Sequence, residues 1–365
     1  MNEKSIRDYG LIPGIMQTGE RNTIADVPGV TVGHATIDNE RHKTGVTVIL
    51  PAQDNLFTNK MAAAGYVING FGKTLGFIQL DELGVLETPI ALTGTLNVGK
   101  VHEGLVAYSQ KRCAEEGVQV LSVNPLVGET NDAYLNDVTE RAVGTEEVFE
   151  AIENASQDFE QGDVGAGKGT FCYGFKGGIG SASRVVTIGS SRHIVGALVQ
   201  SNFGITSDFT PAGIPLGPIM QRLLNEAASL EDKGSIMMIL GTDIPMTSRQ
   251  LKRLCKRAAA GLVRTGSILG HNSGDVVMAF STANRFPIGE TEAYGIGALN
   301  ERYIDTVFRA AEECVEEGVL NSMTHADTVR GNGHVRFGAG KYLERALEEF
   351  RSGGIDAWRS VKPQK

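Results

Sequence analysis

The segment Lys233-Gly234-Ser235-Ile236-Met237-Met238-Ile239-Leu240 places a serine where a polar stretch ends and an apolar run begins. The run predicts a buried strand, which is a rigid support for a side chain at its first position. Residues 228–234 are predicted to be the least structured link of the chain, so cleavage there would leave the core intact.

Cleavage before Ser235 would give that residue both a hydroxyl and a new α-amino group. Because such an amine has a pKa of roughly 8, it could accept the hydroxyl proton and no histidine would be needed. The alternative is a serine that merely begins a strand.

The composition is that of a globular protein with a sizeable core. Of 365 residues, 21% are charged and 41% are apolar, and no apolar run reaches the roughly 20 residues that span a bilayer. The first eight residues lack the apolar centre of a secretory signal, so we expect a cytoplasmic protein. The formal net charge is −9, which argues against binding to nucleic acid. Neither nucleic acid nor a membrane is therefore expected as a partner.

Neither the cysteines nor the histidines form a metal or disulfide pattern. The four cysteines, Cys113, Cys172, Cys255 and Cys314, are far apart and are expected to be free, mostly buried thiols. None of the seven histidines lies in a His-Glu-x-x-His or similar spacing. The chain also has no Gly-x-Ser-x-Gly pentapeptide, the nucleophile motif of a large class of serine hydrolases. The sequence therefore predicts no metal site.

Hydrophobic patterning predicts strands and amphipathic helices in one compact α/β domain over residues 1–365. Many strands are apolar on both sides, as in sheets whose two faces are covered. Strands are predicted over residues 46–50, 89–93, 118–123, 185–188, 194–200, 235–240 and 276–281. Helices are predicted over residues 248–263, 303–315 and 341–350. Thr247 or Ser248 would cap the first helix, and Gly353-Gly354 would end the last.

Three polar segments supply side chains suited to acyl transfer. Asn202 follows a predicted strand and could donate its amide N–H to an oxyanion, although an ordinary turn also explains it. Ser273 and Asp275 are two residues apart, so they could form a hydrogen-bond relay that orients the amine or hydroxyl of a nucleophile. Glu129 could hold a substrate ammonium and Tyr134 could donate to a carbonyl oxygen. Loop turns and solvated surface are the alternatives for these two segments.

Taken together, these segments resemble the L-aminopeptidase/D-esterase family, which also includes β-peptidyl aminopeptidases and nylon-oligomer hydrolases. The matching segments occur in the family's order, and residues after Asn284 match less distinctively. The matches are residues 27–30 (VPGV), 128–132 (GETND), 175–180 (FKGGIG), 198–204 (LVQSNFG), 233–246 (KGSIMMILGTDIPM), 250–254 (QLKRL), 272–275 (NSGD) and 279–284 (AFSTAN).

The resemblance implies a four-layer αββα sandwich, in which two sheets pack together with helices outside. It implies one precursor that cleaves itself between Gly234 and Ser235, giving fragments 1–234 and 235–365 that stay together. Members of the family assemble as homo-oligomers, often tetramers, and use no metal or organic cofactor. A homotetramer of processed α/β heterodimers is therefore expected. Gly234 suits self-cleavage because a residue without Cβ allows the tight backbone geometry that brings the hydroxyl onto its own carbonyl.

The resemblance also assigns roles to the polar residues. Ser235 would be the nucleophile, with Ser273 and Asp275 as its supporting relay. Asp275 stands where β-peptidyl members typically carry Glu, which favours the L-aminopeptidase/D-esterase branch. The remaining roles are a position near the oxyanion for Asn202 and Tyr134, and an anchor for the substrate's amino group for Glu129.

The expected activity is that of a serine hydrolase that releases N-terminal residues from short peptides, amides or esters through an acyl-enzyme on Ser235. A β-peptidyl aminopeptidase or an amide-oligomer hydrolase is the nearest alternative. An acyltransferase of the ornithine acetyltransferase type is another, although serine at position 235, where those enzymes have threonine, argues weakly against it. A third is a non-catalytic α/β binding protein whose glycine-rich segment 162–180 lines a ligand cleft. That segment is not a Walker loop, because Gly169 follows Lys168 where Ser or Thr is required.

Overall fold

The strand that begins at Ser235 lies inside a mixed six-stranded sheet. The structure, a computed structural model, describes residues 4–225, 234–289 and 292–359, and of residues 354–359 the backbone alone. Its strands are β1 (Thr31–Asp38), β2 (Lys43–Leu50), β3 (Asn59–Asn69), β4 (Val85–Leu86), β5 (Ile90–Gly94), β6 (Leu126–Thr130), β7 (Phe171–Cys172), β8 (Phe175–Lys176), β9 (Ile179–Ile188), β10 (Ser191–Asn202), β11 (Ser235–Thr242), β12 (Gly274–Pro287), β13 (Val329–Gly331) and β14 (His334–Arg336). Its α-helices are α1 (Phe77–Leu83), α2 (Val98–Glu115), α3 (Thr145–Glu153), α4 (Gly217–Leu224), α5 (Ser248–Arg264), α6 (Ile304–Thr324) and α7 (Gly340–Arg359).

The longer strands form two sheets. In the four-stranded sheet the order is β1-β2-β5-β6, and its last pair is parallel. In the six-stranded sheet the order is β4-β3-β12-β11-β10-β9, and the parallel pair is β11 with β12. Two short hairpins, β7-β8 and β13-β14, stand apart from these sheets.

Apolar side chains fill three layers between these elements. Leu92 and Ile239 belong to the core between the two sheets. Met238 and Val315 belong to the core between the six-stranded sheet and helices α5 and α6. Val48 belongs to the core between the four-stranded sheet and helices α2 and α3. Because each fully buried aliphatic side chain contributes roughly 1.5–3 kcal/mol, the three cores hold the layers together. The layer order is helices, sheet, sheet, helices, which confirms the predicted αββα sandwich.

The continuous apolar run in the sequence corresponds to β11, whose residues are all buried. Met237 and Ile239 point to the other sheet, whereas Ile236 and Met238 point to the helices. Both faces of the strand are covered, so alternation between apolar and polar residues is not required. β11 pairs with β10 on one side and β12 on the other, which fixes the position of its first residue within the sheet.

Most predicted elements are present, and some predicted bounds are wrong. Helix α5 begins after Thr247, whose hydroxyl accepts a hydrogen bond from the Gln250 backbone and forms the expected cap. Residues 118–123 form no strand: Gly117, with φ of 72°, ends helix α2, and Leu121 is 85% exposed. Apolar content alone does not make a strand where no neighbour offers hydrogen bonds.

The ends of two helices also differ from the prediction. Helix α6 continues from residue 315 to Thr324, and helix α7 runs through Gly353-Gly354 to Arg359. A glycine inside a helix costs about 1 kcal/mol but ends the helix only when it adopts a left-handed conformation. The predicted link over residues 228–234 lies outside the described residues except for Gly234.

The four cysteines are buried free thiols, as expected. In the described part of the chain, every helix is too short or too polar to cross a bilayer.

Candidate active site

Ser235 is the first residue of β11 and lies on the wall of a cavity of about 220 Å³. Its position is fixed by register, because it pairs with Asn202 on β10 and with Gly274 on β12. Strand alternation puts its side chain on the same face as Met237, toward the four-stranded sheet. Ser235 is only 8% exposed, so the hydroxyl lies in a largely water-excluded position at the end of the sheet. The cavity that reaches it is also lined by Glu129, Lys73, Thr95, Phe71 and Leu96.

The backbone around the Gly234–Ser235 bond is tightly enclosed. The Gly274 N–H lies 3.2 Å from the Gly234 carbonyl oxygen and 3.3 Å from Ser235 Oγ, and it points to both. A Cβ on Gly234 would lie 2.2 Å from Phe203 Cα and 2.3 Å from the Asn202 carbonyl oxygen. No residue larger than glycine therefore fits at position 234 without a shift of the neighbouring backbone.

Ser273 and Asp275 form a buried pair. Ser273 Oγ donates to Asp275 Oδ1 at 2.6 Å, and each residue is 1% exposed. Asp275 pairs in register with Ile236, so by strand alternation its side chain is on the helix-facing side of the sheet. The Ser235 hydroxyl is on the opposite side. The pair therefore lies beside the backbone of Ser235, where an α-amino group would be after cleavage.

The Asn202 side chain is held firmly beside Ser235. Directly opposite residues of an antiparallel pair have Cβ atoms about 4.5–5.5 Å apart on the same face. The Asn202 Nδ2 group donates to the Asn131 carbonyl oxygen at 2.9 Å, and its Oδ1 accepts from the Phe171 N–H at 3.1 Å. A carboxamide nitrogen carries two hydrogens, so one remains for an oxyanion.

Glu129 is the penultimate residue of β6 and brings a buried carboxylate to the cavity. It is 4% exposed, and its Oε1 accepts from the backbone N–H of Lys73 at 3.1 Å. A Cβ on Gly72 would lie 2.4 Å from the same oxygen, so glycine at that position allows the loop to approach. The Lys73 ammonium donates to Thr95 Oγ1 at 2.8 Å. Sequence reasoning missed Lys73 and Thr95, although two glycines beside a lysine in Gly70-Phe71-Gly72-Lys73 were a usable signal.

Tyr134 has different surroundings from those of the other predicted site residues. Its ring stacks on the His334 imidazole, with centroids 4.2 Å apart, and the Arg336 guanidinium lies 4.3 Å from the ring centroid. His334 and Arg336 are alternate residues of β14, which carry their side chains on one face roughly 6.6 Å apart, a spacing that accommodates one aromatic ring. The cavity wall includes the preceding residue, Ala133, but not Tyr134. The hairpin β13-β14 therefore fixes the position of the Tyr134 ring. The sequence analysis predicted Tyr134 but not this hairpin.

The glycine-rich segment 162–180 has a packing role in the structure. Most of its residues are buried, and a Cβ on Gly167 would lie 2.6 Å from the backbone of Ile179. Lys176 is fully buried and donates to two backbone carbonyls, Gly167 and Gly177, and burial lowers its pKa to about 7. These glycines let backbone segments approach each other closely.

Comparison with known proteins shows the family of this chain. Residues 22–336 match Peptidase family S58. The chain belongs to peptidase family S58. It is 36% identical over 347 residues to the β-peptidyl aminopeptidase BapA of Sphingosinicella xenopeptidilytica, covering 89% of this chain and 86% of that one.

Two solved structures are similar over nearly the whole chain. A protein from Pyrococcus horikoshii OT3 has 45% sequence identity and a TM-score of 0.89, covering 95% of this chain and 99% of its own. The L-aminopeptidase D-Ala-esterase/amidase of Ochrobactrum anthropi, a serine aminopeptidase with a variant of the Ntn hydrolase fold, has 34% identity and a TM-score of 0.87 at the same coverage. The resemblance seen in the sequence is therefore confirmed, as is the prediction of a hydrolase of the aminopeptidase class.

Proposed function

We propose that this S58 peptidase cleaves its own chain between Gly234 and Ser235 and then uses Ser235 to release N-terminal residues from short peptides, amides or esters. One observation carries the proposal: a single cavity brings the Ser235 hydroxyl together with the buried carboxylate of Glu129. An aminopeptidase needs a nucleophile and an anchor for an ammonium. The bond that it cleaves differs from an internal peptide bond only because the residue before it carries a free amine.

In self-cleavage, Ser235 Oγ attacks the Gly234 carbonyl carbon. The C–O bond forms, the C–N bond breaks, and the hydroxyl proton passes to the nitrogen that becomes the α-amine of Ser235. The Gly274 N–H, 3.2 Å from the Gly234 oxygen, stabilises the negative charge that develops there. Water then hydrolyses the ester, leaving a carboxylate on Gly234 and a free Ser235.

In substrate turnover, the new amine of Ser235 accepts the proton of its own hydroxyl. The Ser273–Asp275 pair lies beside this amine and orients it. The substrate ammonium binds to Glu129, the carbonyl carbon of the N-terminal residue receives the attack, and the remaining Asn202 N–H stabilises the oxyanion. Tyr134, fixed by the β13-β14 hairpin, is proposed to assist on the same oxygen. The protonated amine donates to the leaving group, and water releases the acyl group.

The two fragments are proposed to stay together as one compact domain spanning residues 1–365. β11, the first strand of the second fragment, is hydrogen-bonded to β10 of the first fragment along its length, and two of the three cores contain residues from both fragments. Helix α1 exposes Ile78 and Leu83, at 91% and 62%, an apolar surface that a second copy could cover. The cytoplasmic location stays a prediction. The homotetramer of processed heterodimers also stays a prediction, which light scattering on the purified protein would test.

Denaturing mass spectrometry tests the processing step. A mature preparation should contain fragments of 234 and 131 residues, the second counted from Ser235 to Lys365, and should hydrolyse alanine p-nitroanilide but not its N-acetylated form. The Ser235→Ala variant should remain one inactive chain. Full activity in an intact wild-type chain would contradict the proposal.

A β-peptidyl aminopeptidase is a second candidate, because the relative from Sphingosinicella xenopeptidilytica carries that name. The anchor and nucleophile would then be separated by one more methylene of substrate. Comparing alanine and β-homoalanine p-nitroanilides distinguishes the two: a higher kcat/KM for the β-amino acid would favour the second candidate.

A further inference from the structure

The cavity beside Ser235 carries two opposite charges that do not pair with each other. The Glu129 carboxylate is bound by the Lys73 backbone N–H, whereas the Lys73 ammonium is turned to Thr95 Oγ1. Among the described residues, no ion pair within 4.0 Å involves either group. Both charged groups therefore line one cavity, and each can form a further contact with a ligand.

The charge balance of the cavity changes when a substrate binds. A substrate ammonium compensates Glu129 and leaves the charge of Lys73, an exposed residue, compensated by solvent alone. A substrate that also carries a carboxylate compensates both, and the ammonium–carboxylate contact adds a charge-assisted hydrogen bond. Substrates with a neutral N-terminal residue lack this second contact and place a like charge near Lys73.

The size of the cavity limits where the substrate carboxylate can be. At about 220 Å³ it is smaller than the roughly 300–1,000 Å³ of clefts for drug-sized ligands, so it holds one residue. Because the Lys73 backbone contacts Glu129 while the side chain of the same residue reaches Thr95, the two binding points are separated by about the length of one lysine side chain. Ammonium and carboxylate must then belong to the same N-terminal residue of the substrate.

We propose that Lys73 is a specificity-determining residue that selects substrates whose N-terminal residue carries a carboxylate. This inference rests on the proposed aminopeptidase function. Two sources supply this chemistry: an ordinary α-linked aspartyl residue, and a β-linked aspartyl residue. In the β-linked form two carbons separate the nitrogen from the cleaved carbonyl, as in a β-amino acid, and the free carboxylate is on the carbon that bears the ammonium.

Matched substrate pairs test the proposal on the processed enzyme. The α-linked pair is aspartyl and asparaginyl p-nitroanilide. The β-linked pair is β-aspartyl p-nitroanilide with its free α-carboxylate and the same compound with an α-carboxamide. Each pair differs by one charge at almost constant shape. In at least one pair, kcat/KM should be about tenfold or more higher for the acid.

Variants of Lys73 separate the charge from the shape of the cavity. In Lys73→Met the ratio of acid to amide should fall to about one, and Lys73→Arg should restore a ratio above one. Lys111→Met, which removes an exposed lysine on helix α2 away from the cavity, should keep the wild-type ratio. The pair that shows the preference identifies the linkage.

Results that contradict the role of Lys73 differ from the result that contradicts the proposed aminopeptidase function. If the wild-type enzyme hydrolyses alanine p-nitroanilide but shows no preference for the acid in either pair, or if Lys73→Met lowers kcat/KM equally for acid and amide, Lys73 does not select for a carboxylate. If no substrate, alanine p-nitroanilide included, releases p-nitroaniline, the proposed function itself fails.

Discussion

Replacing Gly234 by alanine should slow self-cleavage about 100-fold while leaving the protein folded. The added Cβ would lie 2.2 Å from Phe203 Cα, and real Cβ contacts are almost never below 3.0 Å, so the backbone must move by about 0.8 Å. The nearby Asn202 carbonyl oxygen, at 2.3 Å, must move as well. Displacements of about 1 Å at a reacting centre cost on the order of 100-fold in rate, and overpacking of this kind costs about 1–3 kcal/mol of stability.

A time course of fragment formation after expression, followed by denaturing mass spectrometry, measures the effect. Thermal unfolding of the same samples separates loss of cleavage from loss of fold. Gly99→Ala is the matched control, because a Cβ at Gly99 meets no atom within 4 Å and alanine favours the helix that contains it. A folded Gly234→Ala protein that forms both fragments at the wild-type rate would refute the steric argument.

Three further predictions concern side chains around the site and in the core. Asp275→Asn removes the carboxylate charge that accepts a 2.6 Å hydrogen bond from Ser273. It should lower kcat about 100-fold and shift the pH profile of kcat. An unchanged pH profile would rule out a role for Asp275 beside the Ser235 amine. Tyr134→Phe keeps the stacked ring but removes the hydroxyl, so kcat should fall about 100-fold while Tm is unchanged. If steady-state kinetics give the wild-type kcat, Tyr134 is a packing residue only. Burial opposes ionisation of Glu317, but its hydrogen bond to Arg7 and the charge of Arg184 outweigh burial and lower the pKa of that carboxyl below 4.5. The resulting stabilisation is complete above pH 4.5 and is lost as the pH falls through the lowered value. Glu317→Gln leaves the buried Arg184 guanidinium with one carboxylate fewer. It should therefore lower the free energy of unfolding, measured in urea, by about 3–5 kcal/mol at pH 7 and by less near pH 3. Equal losses at both pH values would contradict this prediction.

Local patterns in the sequence predicted those elements whose neighbours leave a local signature. Helix α5 has an amphipathic stripe and a capping threonine, and β11 has a continuous apolar run. Residues 118–123 have similar apolar content but no partner strand, and local pattern cannot reveal that. The loop at Lys73 was missed because its contact with Glu129 joins residues 56 positions apart, across the ends of two different sheets.

The sequence by itself determined that a serine begins a buried strand after a glycine, and the family resemblance added the order of the layers and the set of polar residues near the site. Only the tertiary structure decided that Ser235 is opposite Asn202 and Gly274, that its hydroxyl is on the face of β11 toward Glu129, and that Asp275 is on the other face. The physical reason is that side chains alternate along a strand, so a shift of one residue in register would exchange the two faces, and register is set by pairing between distant strands.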